Sequence, residues 1–587
     1  MKRERLWPAV LAGWGIAAVV LILVSTQQIL GLWFPDPDDA MRLLEVRDWL
    51  NGQSWWDVSQ HRLWDGHFAM HWSRLVDLPL ALMMAVFDPI FGPAAATRVA
   101  LVALPLVTLL AVMALGAELT RRVAGLERAK MAVLLVPLSI PLLYQLRPLR
   151  IDHHGWQIVL ALIAANALLA KPDARSGSLI GLALAALLTI SLEGMPITVA
   201  ILGVALLAWA FDPTRRAQAL AASWTLTGAV IVLHVATRGP AILTAACDAI
   251  SPAWIAGLST ATLGVTLAMI VRRAPLAIRL GMLGVAGAAA LAMLGALAPK
   301  CFGGPFAGLD PLVRTFWYDK VSEGLPIWDQ VRVWALMTIG FPIVGLIGGL
   351  FAWRASEGRE RVQWAMVLAL AVGSFALSLL VVRSGATANA LALPGGAWAL
   401  QAMLTRARAV TSVAIRTLAT AGSLTAATPG LMAVAILGVG NAFGIDARPA
   451  APKLHRPSCE HGHEIVDLGQ LPPSRVFAPL DVTPDILART KHSAIGAGYH
   501  RNVASIHTVI ATFIGTPQDA HRRVLASGAA YVVGCPGENE TEMYKQAAPN
   551  GFWSRLERGD RFAWLQPVPL SHSPVLVWKV MREPTRP

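Results

Sequence analysis

Five groups of ionisable residues interrupt an otherwise apolar chain: Asp36, Asp38 and Asp39 with Arg42; Arg147, Arg150, Asp152, His153 and His154; Glu193; Ser322 with Glu323; and Arg383. Carboxylates and imidazoles are the donors that hold a divalent cation such as Mg²⁺ or Mn²⁺. A cation held by Asp39, Asp152, His154 and Glu323 would neutralise phosphate oxygens and stabilise a departing phosphate. Arg383 and Arg150 would add charge-assisted hydrogen bonds to that phosphate. Whichever of Asp36, Asp38 and Asp39 is not occupied by metal would orient or deprotonate an acceptor.

Each group also has a plainer reading. Pro35-Asp36-Pro37-Asp38 is an ordinary loop start and helix cap, Asp152-His153-His154 would cap a following helix, and Glu193 reads best as a lone interfacial carboxylate. His61, His67 and His71 are irregularly spaced and read as structural, while Trp55, Trp56, Trp64 and Trp72 suit an interfacial aromatic belt. Cys459-Glu-His461-Gly-His463-Glu464 has metal-ligand residue types but lacks a partner cluster.

The elements that must position these residues are membrane helices. With 587 residues, 55% of them hydrophobic and 14% charged, the chain is too apolar for a soluble protein of this size. A net charge of +13 would suggest nucleic acid in a soluble protein. Here the Lys and Arg fall in short loops between apolar runs, where they set orientation, so nucleic acid is excluded as a partner. The first run, 6–33, follows Lys2, Arg3 and Arg5 and is too long for a signal peptide. Further runs at 94–117, 131–146, 155–170, 178–191, 195–211, 217–236, 252–271, 277–298, 332–353, 362–382, 385–403 and 421–443 bring the expected total to about thirteen transmembrane helices.

Placing the basic loops in the cytoplasm puts the amino terminus inside and the loops 34–93 and 299–331 outside, with everything after about 444. All the acidic groups then fall on the outer face. The expected architecture is mostly α: a transmembrane domain over 1–443 and a small extracytoplasmic α/β domain over 444–587. In that tail, 476–480, 493–496 and 530–533 read as strands, with helices at 485–489 and 519–527. Either Cys247 pairs with Cys301 and Cys459 with Cys535, as an oxidising compartment permits, or all four stay thiols.

At these clusters the chain resembles the catalytic subunit of oligosaccharyltransferases, within the GT-C class of polyprenyl-phosphate-dependent glycosyltransferases. That resemblance implies about thirteen transmembrane helices and a periplasmic or lumenal carboxy-terminal domain. It implies a catalytic aspartate in the first outer loop, with Asp36 and Arg42 as one register and Asp38 with Arg47-Asp48 as another. Asp152-His153-His154-Gly155 is similar to that family's Asp-x-Asp or Asp-x-Glu metal motif, with His154 in place of the second carboxylate. Lys320-Val321-Ser322-Glu323 is similar to its late Glu-ending motif, and Arg383 to its arginine on the lipid phosphate. The Trp-Trp-Asp-Tyr-Gly signature that reads an acceptor sequon is missing. Phe477-Ala-Pro-Leu-Asp481-Val stands there instead, which places Asp481 on the acceptor side.

The expected activity is transfer of a sugar or oligosaccharide from a polyprenyl-phosphate or diphosphate donor to a glycan, lipid or protein acceptor outside a bacterial inner membrane. The alternative is a transporter or flippase of lipid-linked sugars. Transporters, however, place ionisable residues near the bilayer midplane, and these acids lie at helix ends and in loops.

Overall fold

In the computed structural model, which describes residues 5–271, 273–442, 463–570 and 573–582, the apolar runs fold as helices that satisfy their own backbone groups, as lipid requires. Eight helices among the described residues are long and apolar enough to cross a membrane, or nine if the pair Leu126–Leu138 and Ile140–Leu146, bent by 70°, is one span. A small sheet domain lies near the carboxy terminus.

The remaining expected runs are also helical, but shorter, divided or buried within the bundle. His154–Leu168 and Ala174–Ile190 have 15 and 17 residues. At 1.5 Å per residue they fall short of a hydrocarbon core of about 30 Å. The expected helix 421–443 is divided into Val413–Ala427 and Pro429–Ala442. Pro429 disfavours the helical conformation for the residue before it, and Thr428 is extended. Gly385–Arg408 is a core helix, buried along most of its length rather than facing lipid. It crosses Arg332–Ala355 so closely that a Cβ on Gly395 would lie 1.9 Å from the Gly345 carbonyl oxygen. Only glycine permits that approach.

The stretch 34–93, expected as a loop, is largely structured. It contains helix Pro37–Leu50, the short antiparallel pair Ser59–Gln60 and Phe68–Ala69, and helix Arg74–Phe91. Pro37 stands in the first turn of its helix, where its missing N–H costs nothing. Asp36 caps that helix by accepting the Asp38 N–H at 3.0 Å.

The carboxy-terminal sheet runs in the order Ser493–Ala494, Arg475–Phe477, Tyr531–Gly534, Leu576–Val580, Leu565–Pro567. Its first three strands are parallel and its last two pair antiparallel. The three expected strands and two expected helices are present with shifted ends. The edge strand Leu565–Pro567, its neighbour Leu576–Val580 and helix Val503–Phe513 were not anticipated. Met41, Leu44, Leu63, Phe68 and Trp72 share one buried core with Val476, Ile486, Ala494 and Tyr499. Helix Pro37–Leu50 and the sheet are therefore packed as one unit.

Cys247 and Cys301 form a disulfide with Cα atoms 5.1 Å apart. Cys535 is also disulfide-bonded. Its expected partner Cys459, most of the Cys459–Glu464 cluster and the expected boundary near 443 lie outside the described residues.

Candidate active site

The site is built around a strained turn. Leu149, fully buried, has a left-handed φ of 70°, a conformation costing a non-glycine residue about 1–2 kcal/mol. Its N–H donates to the Leu101 carbonyl at 3.0 Å. The turn is held from the other side by Asp39: Oδ1 accepts the N–H of Ile151 at 2.8 Å and of Asp152 at 2.9 Å, and Oδ2 accepts from Arg150 Nη1 at 3.0 Å. Arg150 Nη1 also lies 3.1 Å from Asp36 Oδ2, and its Nε donates to Gln145 Oε1 at 3.1 Å. Buried and opposed by two carboxylates, Arg150 serves the turn.

What the turn presents is Asp152. Its Oδ1 accepts from Arg42 Nη2 at 2.9 Å and lies 2.7 Å from His153 Nδ1. Arg42 reaches in the other direction to Asp77 Oδ1 at 2.8 Å and stacks over the Trp72 ring at 4.4 Å. Asp152 Oδ2 is buried without a hydrogen-bond partner, 3.4 Å from His154 Nε2. His153 Nε2 is 3.5 Å from Glu193 Oε2. Glu193 Oε1 accepts from Arg383 Nη1 at 2.7 Å, and the same nitrogen lies 3.6 Å from Glu323 Oε1. A Cβ on Gly324 would stand 3.1 Å from Arg383 Nη2, so the residue after Glu323 is small where the guanidinium passes. The Val382 N–H donates to the Leu325 carbonyl at 3.1 Å and ties this loop to the arginine turn.

The electrostatics of the cluster are those of crowded acids. Burial, Asp36, Asp152 and Glu323 together push Asp38 well above the usual carboxylate range. Burial likewise pushes Asp39 up to about 7, against the opposing pull of Arg150. Burial would raise Asp152 too, but His153 beside it holds it well below the ordinary value. Burial works to lower His153, yet the Asp152 carboxylate pushes it up to about 9. Asp152, His153 and His154 each offer a ligand atom, all within 4.8 Å of one another. With a buried carboxylate oxygen unpartnered, this trio fits a divalent cation. Asp39, expected among the ligands, has both oxygens committed to the turn.

The expected residues Asp36, Asp39, Arg150, Asp152, His154, Glu323 and Arg383 thus stand in one connected cluster, with Asp38 beside them. The cleft against Arg150 and Asp152 is ≈ 10 Å³, room for about one water. Asp481, in the carboxy-terminal segment, is near enough to Asp36 for that carboxylate to help push it up to about 6. Its N–H and that of Leu480 are held by Glu540 at 2.8 Å.

Three residues take parts that the sequence did not assign to them. Glu193 is not a lone carboxylate, because it joins His153 to Arg383. His153 contributes two contacts where only His154 was assigned a role. Tyr499, buried against Trp72 at 5.5 Å between ring centroids, faces Asp38 from the carboxy-terminal segment. Of the histidines read as structural, His61 bonds Gly66 O and Asp57, whereas His71 meets Asp248 and His500 in a second cluster. Trp55 and Trp56 both donate their indole N–H to the Ala236 carbonyl, at 2.7 and 3.0 Å, and so anchor the loop on a helix end.

The helical bundle, the site at one end and the appended sheet make up the fold of a polytopic membrane protein. That fold is similar to the fold of the archaeal oligosaccharyltransferase AglB from Archaeoglobus fulgidus. Its complex with an inhibitory peptide and a dolichol-phosphate matches at TM-score 0.60 and 13% identity, over 89% of this chain and 69% of that one. The apo form matches at TM-score 0.58 and 14% identity, over 89% and 69%. The complex with Zn and sulfate matches at 0.53 and 14%, over 89% and 67%. No protein-family model and no curated protein matches the chain.

Proposed function

We propose that this chain is a membrane glycosyltransferase that takes a sugar or oligosaccharide from a polyprenyl-phosphate or diphosphate donor and passes it to an acceptor on the non-cytoplasmic side. The observation that carries the reading is the unbroken line of contacts from Asp152 through His153, Glu193 and Arg383 to Glu323, which gathers four separate segments at one end of the bundle. The orientation rests on Arg121, Arg122, Arg215, Arg216, Arg406 and Arg408 near helix ends, which the positive-inside rule assigns to the cytoplasm.

Asp152, His153 and His154 would hold a divalent cation, which supplies Lewis-acid neutralisation of phosphate charge when bound. Asp39 and Arg42 orient Asp152 from two sides. Arg383, with its Nε buried and unpartnered, aims a guanidinium at the same region, where it would stabilise negative charge developing on a leaving phosphate. Asp38 is positioned to orient an acceptor or take its proton, and a carboxylate raised by crowding is suited to that task. Asp481 approaches from the acceptor side. Support also comes from the fold of AglB, whose solved complexes hold dolichol-phosphate, peptide, and Zn with sulfate.

The test is transfer or hydrolysis of radiolabelled polyprenyl-linked sugars by the purified protein, with Asp152→Asn and Arg383→Gln alongside. Loss of sugar release in both variants with unchanged helical content is expected. Full activity in both sinks the mechanism. If the wild-type protein instead moves intact lipid-linked sugar across proteoliposomes without cleaving it, the transporter reading replaces this one.

A further inference from the structure

Away from the acidic cluster, helix Pro37–Leu50 turns its carboxy-terminal half toward a second feature of opposite charge. A cavity of ≈ 840 Å³ lies between this helix and the segment that follows helix Thr483–Arg489. Its walls include Arg47, Arg62, Arg489, Lys491 and His492, with Asp48 as the single acid among the lining residues. At 3.6 residues per turn, the lining residues Leu44, Asp48 and Asn51 fall about 120° or more around the helix from Asp39 and Arg42, so this cavity and the acidic site use different faces.

We propose that this cavity binds a phosphoryl anion borne on a larger group. Four observations support it.

The first is charge. Arg47, Arg62, Arg489 and Lys491 are brought together, and the nearby acids are few. Asp485 Oδ1 takes Arg489 at 2.7 Å, and Asp48 Oδ2 accepts from Gln60 at 3.3 Å. Burial, with Arg489 and Arg62 close by, lowers Arg47 from its ordinary value, as expected of cations crowded without enough counter-charge.

The second is donor supply. Arg62 is spent on the carbonyls of Leu487 and Thr490, at 2.7 and 2.8 Å, and so builds the wall. Arg47 gives one nitrogen to Ala488 O at 3.1 Å. Lys491 is exposed and has no hydrogen-bond or ion-pair partner among the described residues. Arg47 and Lys491 therefore keep donors for a ligand, and a guanidinium fork beside an ammonium suits tetrahedral phosphate oxygens.

The third is size. The volume falls in the range of small-molecule sites, about 300–1,000 Å³, and is far larger than a bare ion needs.

The fourth is place. Arg489 donates to the carbonyls of Gly31, at 3.1 Å, and Leu32, just beyond the first apolar helix Leu6–Val24. Leu30 and Leu50 nearby are exposed. The cavity thus opens where a lipid headgroup and a soluble phosphorylated compound both have access, and the recognition chemistry is the same for either.

The experiment uses the full chain, delipidated in detergent and separately in nanodiscs, with inorganic pyrophosphate and phosphatidylglycerol as the two probes. Binding is read by thermal shift for the first and by native mass spectrometry for the second. Variants are Arg47→Gln and Lys491→Gln; the exposed Lys491 side chain can be replaced without unfolding the protein. Arg383→Gln controls for anion binding at the acidic cluster. Expected is binding of at least one probe that weakens about tenfold in each cavity variant and persists in Arg383→Gln. Pyrophosphate alone identifies a soluble ligand, and phosphatidylglycerol alone a lipid headgroup. The proposal is overturned if neither probe binds, if Arg47→Gln and Lys491→Gln leave binding unchanged, or if only Arg383→Gln abolishes it.

Discussion

Arg383 donates to Glu193 at 2.7 Å across 190 residues of sequence, and the same guanidinium nitrogen lies 3.6 Å from Glu323. One cation thus joins two carboxylates from different helix corners. Lysine keeps the charge but loses the planar fork, so Arg383→Lys should behave as a loss of function rather than a conservative change. We expect sugar transfer to fall by roughly 10²-fold, the scale of removing one preorganised charge-stabilising donor. Gly324→Ala should act in the same direction but less strongly, because its Cβ at 3.1 Å from Arg383 Nη2 displaces the guanidinium without removing it. Steady-state kinetics on a polyprenyl-linked donor, with circular dichroism as the folding control, checks both.

Asp38 and Asp39 are adjacent but should separate cleanly. Asp39 is fully buried and holds Arg150 and two backbone N–H groups. Asp39→Ala would leave a buried guanidinium short of one partner and two amides unsatisfied, a loss of about 3 kcal/mol or more. Its unfolding midpoint in detergent should drop by several degrees, and activity should go with it. Asp38 forms no ion pair within 4 Å among the described residues, and Asp38→Asn should leave the midpoint near that of the wild type while abolishing transfer. An Asp38→Asn protein with full activity would move the acceptor-side role to Asp36 or Asp481.

How much of this was legible beforehand follows from how local each signal is. Asp152-His153-His154 is contiguous and could be read directly. The mostly helical membrane architecture and the sheet-bearing tail followed from apolar runs and from a change of composition. Glu193 gave no such signal: it is a single carboxylate in Ser-Leu-Glu-Gly-Met-Pro, and its meaning depends on Arg383, to which no local pattern connects it. Tyr499 sits in a polar tail, yet its position beside Asp38 depends on the core shared by Trp72, Phe68 and the sheet. Proline or shortness, rather than polarity, ends several of the expected spans.

Proton and cation binding should compete at the acidic cluster. Asp39 is raised from an ordinary value near 3.8 to about 7, mainly by burial, and Asp38 is raised well above its ordinary range. Acids raised in the folded state contribute stability that is full below the ordinary carboxylate range and is lost as pH rises through the folded value, about 7 for Asp39. In chelator, the unfolding midpoint should therefore fall between pH 5 and about pH 8. Mn²⁺ should oppose that fall, because a cation at Asp152, His153 and His154 would give the neighbouring Asp38 and Asp39 carboxylates a counter-charge. Differential scanning fluorimetry across this pH range, with and without Mn²⁺, checks it; identical profiles would argue against a cation at Asp152, His153 and His154.

The second cluster should act as a latch that acid does not release. Asp248, next to the disulfide-bonded Cys247, takes Arg501 through both oxygens at 2.8 and 3.0 Å and lies 2.8 Å from His500 Nε2. Burial alone would raise Asp248, but His500 and Arg501 hold it well below the usual carboxylate range. Its contribution is therefore present above the ordinary carboxylate value and lost only as pH falls below it. His71 is held well below its ordinary value in the same place, by burial first and then by the neighbouring His500 and Arg501. Hydrogen exchange in 239–250 and 498–503 should consequently be protected to the same degree at pH 7.5 and pH 5.5, once intrinsic rates are corrected. Asp248→Asn keeps the shape but removes the charge opposite Arg501, so protection in both segments should fall about tenfold or more at either pH, an effect confined to that contact if the cluster joins loop and sheet as a local latch.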